Sequence, residues 1–288
     1  MTLPLRTGEP IRTAVVGVGY LGRFHAEKYA RLPVHAVSIA VPTPLHYQIG
    51  CMVLDKGIHA LIEKPIATSP AEARELVDLA RGRDCVLQVG HVERFNPAVL
   101  AAVGRLQVPR FVESHRLMPF RRRGTDVSVV LDLMIHDIDL IQELVGDEIE
   151  HIDAMGATVF SGETDIANAR IRFRDVCVAN TTASRISLKQ ERKLRVFQDD
   201  AYFSIDLQQK ILTVVRKNAA NVTSPAQVSI EEQTFEQGDA LLSEIQSFLQ
   251  AIRQHSTPVV SGEDGLSALE TAMRITSLVN ERISSPHH

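Results

Sequence analysis

The stretch VVGVGYLGRFHAEKYARLPVHAVSIAVPTPLHY, Val15 to Tyr47, decides the fold. RTAVVGV, which leads into it, is a continuous apolar run suited to a buried parallel strand. Gly17, Gly19 and Gly22 then form G-x-G-x-x-G, with Tyr20 and Leu21 inside the turn. Gly17 permits the tight turn, Gly19 lets backbone amides approach a pyrophosphate, and Gly22 allows close helix–strand packing. A lone motif of this kind is weak, and a plain glycine-rich turn is the alternative. Its place between a buried strand and the helical spacing of Leu21, Phe24, Ala26, Tyr29 and Leu32 strengthens it.

Working outward, strand and helix alternate. HAVSIAV reads as a second strand stopped by Pro42 and Pro44, followed by the helix PLHYQIGCMVLDKG. IHALIEKP is a third strand, SPAEARELVDLARGR a helix, and CVLQVGH a fourth strand. Such alternation predicts a Rossmann domain, a doubly wound parallel sheet, over residues 1–92. From 93 to 288 the texture changes. Helical NPAVLAAVGRL and DVSVVLDLMIHDIDLIQELVG precede a series of short strands between Glu150 and Gln233, and two amphipathic helices follow. This predicts a second α/β domain with a large, mostly antiparallel open sheet. The first closing helix is expected to bury Leu241, Leu242, Ile245, Phe248, Leu249 and Ile252.

Composition narrows the function classes. Apolar residues make up 44% and charged residues 23%, as in ordinary globular proteins. A net charge of −4 gives no reason to expect nucleic acid, and the basic RLMPFRRRG is local. Cys51, Cys85 and Cys177 form no C-x-x-C pair, so no disulfide framework or metal site is expected. No apolar run approaches the roughly 18 residues of a membrane span, and no signal segment is apparent, so a cytoplasmic location is expected.

Four clusters carry candidate chemistry. Pro42, Thr43 and His46 follow the second strand, where such sheets line their ligand crevice; a proline-terminated strand is the bland alternative. Glu63, Lys64 and Pro65 end the third strand. A lysine there is costly unless it meets a ligand or carboxylate, and desolvation lowers its pKa towards acid–base use; a snorkelling surface lysine is the rival. Asp132, His136 and Asp139 fall at i, i+4 and i+7, which orients the histidine and raises its basicity. Metal binding or a helix-surface charge pattern would share that spacing. His91, Glu93, Arg94 and Asn96 form a dense polar group, and with Arg116 and Arg121 to Arg123 they could meet a polar or anionic substrate.

Taken together, VVGVGYLGRFHAEKY, SIAVPTPLHY, EKPIATSPAEARELVDLA, QVGHVERFNPAV and DLMIHDIDL resemble, in order, the signatures of the Gfo/Idh/MocA oxidoreductases. The resemblance extends through SFLQAIRQHSTPVVSGEDGLSALETA. It implies an N-terminal Rossmann domain, NAD or NADP as cofactor, and hydride transfer at a sugar or cyclitol carbon. It also implies a C-terminal sheet that mediates a homodimer or homotetramer. By position, Lys64 matches the lysine of the E-K-P motif, and Asp132 and His136 the acid and histidine of the helix motif. His136 is then expected as the base, with Lys64 orienting the oxygen. Cofactor contacts are expected at Gly17, Gly19, Tyr20, Leu21, Gly22, Pro42, Thr43, His46, Glu63 and Lys64.

Within the family, GHVERFNPAV with DVSVVLDLMIHDIDLI looks most like the UDP-N-acetylglucosamine 3-dehydrogenases of lipopolysaccharide biosynthesis, which supply a partner aminotransferase. Arg94, Asn96 and Arg116 would then meet the sugar nucleotide. Inositol- or glucose-type dehydrogenases, and a non-catalytic dinucleotide sensor, are the alternatives.

One feature departs from the pattern. Family members place a strand, an acidic residue that holds the adenosine ribose, and a helix between the first helix and AVPTP. Here Val34 runs directly into His35. The expected segment, on the order of 35 to 40 residues in such a fold, is absent. A natural deletion would produce this join. So would an adenosine-side segment that is ordered only by cofactor and missing from the chain as numbered, which is the reading adopted from the sequence.

Overall fold

The structure, a computed structural model, describes residues 11–17, 35–121, 124–146, 148–174, 177–236 and 238–284. Gly19, Tyr20, Leu21, Gly22, Arg122, Arg123 and the join at Val34 lie outside these residues. The chain divides into two compact units, Met1–Val92 with Leu241–Glu270, and Glu93–Ala240 with Thr271–His288.

The first unit is built on four parallel strands, β1 (Thr13–Val16), β2 (Ala36–Ile39), β3 (His59–Glu63) and β4 (Leu87–Gly90), in the order β1-β2-β3-β4. Helices α1 (His46–Leu54) and α2 (Pro70–Gly82) cross between successive strands. Ser69 caps α2 by accepting from the Glu72 amide, with Pro70 at the first helical position, where its missing N–H is no loss. Strands β2, β3 and β4 are largely apolar because both faces are covered: Val37, Ile39, Ala60, Leu61, Ile62, Leu87 and Val89 are all buried.

Every crossover steps the same way, so among the described residues β1 is an edge, and Val15 is 66% exposed. The sheet therefore presents one wing of the doubly wound arrangement. β2 begins directly beside the start of β1, where the His35 amide donates to the Arg12 carbonyl at 3.1 Å. Gly17 is required here, since a Cβ would stand 2.7 Å from the Ala40 carbonyl oxygen.

All but the first residue of helix α5 (Ala240–Gln254) belongs to the first unit. Of the expected stripe Phe248 and Ile252 are buried, together with Glu244 and Ala251, whereas Leu241 and Leu242 are each 49% exposed. Phe248 and Ile252 pack against Ala36 and Leu61 of β2 and β3. Helix α6 (Gly262–Ser284) starts so close to β4 that a Cβ at Gly265 would lie 2.5 Å from Val89.

The second unit carries eight strands: β5 (Phe111–Leu117), β6 (Ile149–Ala157), β7 (Ile166–Phe173), β8 (Val178–Ser184), β9 (Glu191–Phe197), β10 (Ala201–Asp206), β11 (Ile211–Lys217) and β12 (Val228–Thr234). Their order is β12-β11-β10-β9-β5-β8-β7-β6, antiparallel except for the β5–β8 pair. Strict alternation along β7 buries Ala167, Ala169, Ile171 and Phe173 and exposes their neighbours, as a sheet with one covered face demands. Helix α3 (Pro97–Val103) covers β10 and β11, and α4 (Ile135–Val145) covers β5 and β8.

Candidate active site

In the first unit the candidate residues gather at the carboxyl ends of β2 and β3, where open parallel sheets bind ligands. Pro42 is exposed and Thr43 half-buried in the turn that follows β2. His46 is buried, and both ring nitrogens lie 2.8 Å from backbone carbonyls, Nδ1 from Pro65 and Nε2 from Val41. It clamps the end of β2 to the corner after β3. Burial lowers its pKa against the raising effect of those carbonyls. Lys64 is half-buried and is joined to Pro65 by a cis peptide bond. Burial raises the Glu63 pKa, while the Lys64 charge and amide offset part of that rise.

Two residues of this unit escaped the sequence reading. Glu244 is fully buried, and among the described residues neither of its carboxylate oxygens has a hydrogen-bond partner. Burial, and then the neighbouring charge of Glu63, push its pKa up to about 8. Buried Gln88 donates to the Glu244 carbonyl at 3.1 Å, and its own Oε1 is also without a partner. The signal was present in SEIQSF: a glutamate four residues before Phe248 shares its helical face.

In the second unit, Asp132 lies in a π-helical turn, Val130–Met134, that runs into α4. Such turns frequently mark functional positions. They also break the simple i, i+4 register expected between Asp132 and His136. Both side chains are half-buried, in contrast to the fully buried Asp137 and Asp139 that follow. Asp139 receives Arg94, whose Nε and Nη2 donate at 2.8 and 3.0 Å.

The polar residues expected to meet substrate each have hydrogen-bond partners within the second unit. Arg94 is 5% exposed and also pairs with Glu143. Asn96 caps α3 by accepting from the Ala98 amide, and it donates to the Leu207 carbonyl at 2.9 Å. Arg116 is 4% exposed and donates to both oxygens of Asp137, at 3.0 and 2.8 Å, and to Glu93 at 3.0 Å. Burial opposes its charge, but Asp137 and Glu93 outweigh that and raise its pKa. These groups tie β5, α3 and the turn before α3 to α4 and to the Leu207 carbonyl. Sequence spacing showed the residue types but not the carboxylates that take them up.

The residues present fit a nicotinamide dinucleotide on the nicotinamide side. Pro42, Thr43, Glu63 and Lys64 would hold it at the strand ends, and Gly17 leaves no room for a side chain at the end of β1. No acidic residue lies between His35 and Tyr47 to hold the adenosine ribose. Among the described residues no group of three or more His, Cys, Asp or Glu could hold a metal ion. The three cysteines are free, and no helix is long and apolar enough to cross a membrane.

This fold and site define a dinucleotide-binding oxidoreductase. Residues 30–91 match the family model described as oxidoreductase family, NAD-binding Rossmann fold, and residues 101–204 match the GFO/IDH/MocA C-terminal domain. The chain is similar to the UDP-N-acetylglucosamine 3-dehydrogenase of Acidithiobacillus ferrooxidans, at 34% identity over 92% of this chain and 96% of that protein. A solved structure of that enzyme superposes with a TM-score of 0.86 at 33% identity, covering 95% of this chain and 99% of the other. Scyllo-inositol 2-dehydrogenase (NAD(+)) of Bacillus subtilis matches at 22% identity over 93% of each. Levoglucosan dehydrogenase with NADH and levoglucosan shares the fold, with a TM-score of 0.80 at 17% identity over 94% of this chain and 97% of the other. The chain belongs to the Gfo/Idh/MocA family of oxidoreductases, and its cofactor is NAD(P). The alignment to the Acidithiobacillus enzyme runs over 301 positions, more than the whole of this 288-residue chain, so relatives carry residues that this chain lacks.

Proposed function

We propose that this protein is an NAD-dependent nucleotide-sugar dehydrogenase that oxidises the C3 hydroxyl of UDP-N-acetylglucosamine. The similarity at 34% identity, over nearly all of both chains, to an enzyme of that name carries the reading. NAD, when bound, would supply the hydride acceptor. His136 takes the hydroxyl proton, and Asp132, in the π-turn just before it, stabilises the imidazolium. Lys64, at the end of β3, orients the substrate oxygen and offsets charge developing on it. The product, a 3-keto sugar nucleotide, suits an aminotransferase as the next enzyme. A cytoplasmic homo-oligomer formed through the C-terminal sheet accords with this role.

An inositol dehydrogenase is the second reading, favoured by the match to the Bacillus enzyme along 93% of its length. A dinucleotide sensor is the third, favoured by the missing ribose carboxylate. NADH formation followed by absorbance with UDP-N-acetylglucosamine, scyllo-inositol and myo-inositol separates the three. The proposal expects turnover with the first alone; turnover with inositol alone, or none with any sugar despite tight NAD binding, overturns it. His136→Asn is expected to lower kcat about 10²- to 10⁴-fold with NADH affinity unchanged. An unchanged kcat removes His136 as the base.

A further inference from the structure

The second unit holds one arginine whose surroundings differ from those of Arg94 and Arg116. Arg192 sits on β9 opposite Arg116 of β5, on the same face of the sheet as Leu194 and Val196. Like charges placed directly across a strand pair repel each other, so the pairing needs a reason. The two nearby carboxylates do not supply it. Arg116 takes both oxygens of Asp137 and Oε1 of Glu93, and Asn96 donates to the remaining Glu93 oxygen at 3.3 Å.

Arg192 is left with an approach of 3.9 Å to Glu93, beyond hydrogen-bond reach, and its side chain is 43% exposed. Burial and the adjacent Arg116 hold its pKa below the ordinary arginine value, and Arg121 adds to the crowding. A partly exposed guanidinium with two cations near it, and no side-chain hydrogen bond among the described residues, favours an incoming anion. The location suits substrate, because Asp137, which fixes Arg116, is the chain neighbour of His136 on α4.

We propose that Arg192, supported by Arg121, binds the diphosphate of a nucleotide-sugar substrate, while Arg116 holds the frame behind it and contacts no substrate. The proposal rests on the nucleotide-sugar reading above and names the residue that carries its specificity. Arginine's planar fork can donate two parallel hydrogen bonds to phosphate oxygens, where a lysine gives only a point charge.

The test is calorimetric titration of the intact protein with UDP and with inorganic pyrophosphate, for the wild type, Arg192→Gln and Arg192→Lys. The wild type is expected to bind both ligands. Arg192→Gln weakens each about 10- to 100-fold, the range for losing a hydrogen bond to a charged group. Arg192→Lys recovers part of that loss, and NADH affinity and Tm stay at wild-type values in both variants. Wild-type UDP affinity in Arg192→Gln overturns the assignment while leaving the nucleotide-sugar reading in place if UDP-N-acetylglucosamine is still oxidised. Failure of the wild type to bind either ligand overturns the assignment too; oxidation of scyllo-inositol in its place then shows that the reading beneath it has also failed.

Discussion

In the β-rich unit, the buried acids Asp137 and Asp139 each receive a guanidinium, and Asp165 accepts from three backbone amides and a serine hydroxyl. In the dinucleotide unit, Glu244 and Gln88 bury acceptors for which the described residues provide no donor. Both arrangements keep polar atoms out of water, yet their physics differs. A paired buried charge is held by its partner and becomes a rigid element. An unpaired buried carboxyl avoids the desolvation penalty by keeping its proton, which ties the surrounding structure to pH. The first kind fixes the helix that carries His136. The second lies beside Glu63, next in the chain to Lys64.

The strongest way to break the comparison is to unpair a charge in the β-rich unit. Arg116→Met leaves Asp137 and Glu93 buried without their cation and is expected to cost about 3–5 kcal/mol in chemical denaturation. Adding Asp137→Leu should return most of that loss. If the single variant is as stable as wild type, the frame is not what holds α4.

The opposite substitution sharpens the other side. The Glu244 pKa is raised in the folded state, from 4.5 to about 8. Its stabilising protonation is therefore complete below about pH 4.5 and is lost as pH rises through about 8. Glu244→Gln keeps a neutral group at all pH values. Its Tm should match that of wild type near pH 4.5 and exceed it at pH 9, by an amount equivalent to a few kcal/mol, on the order of the linkage for such a shift. Parallel Tm curves across that range would show that Glu244 is not a titrating group.

Asp165 gives the smallest effect and the reverse sign. Burial alone would raise its pKa, but the hydroxyl and amide of Ser161 and the amides of Phe160 and Val159 hold it at about 2. Its contribution is present above about pH 4 and lost as pH falls through about 2. Asp165→Asn is expected to cost about 1–3 kcal/mol at neutral pH, as amide donors lose a charged acceptor. A stability loss confined to pH above 4 is the checking signature.

The local pattern alone made much of the fold legible. Apolar runs ending at Ile39, Glu63 and Gly90 are the strands β2 to β4, covered on both faces, and the run ending at Val16 is the edge strand β1, which alternates exposed and buried. Seven strands between Glu150 and Gln233 were likewise readable from their two-fold alternation and turns. The motif residues Lys64, Asp132 and His136 fall on half-buried positions at a strand end and a helix entrance. What spacing could not show was which charges meet. Arg94 and Asp139 are 45 residues apart, Arg116 and Asp137 are 21 apart, and no local period links them.

The sequence by itself determined the class of this protein: an apolar run leading into a glycine motif, a lysine after a strand, a histidine near a carboxylate, and no acidic residue between His35 and Tyr47. Only the tertiary structure decided that Arg94 and Arg116 meet Asp139 and Asp137, that Glu244 is buried, and that Arg192 approaches Glu93 at 3.9 Å, beyond hydrogen-bond reach. The reason is physical. Secondary structure follows from the periodicity of neighbouring side chains, whereas the fate of a charge depends on what the fold brings against it from far along the chain.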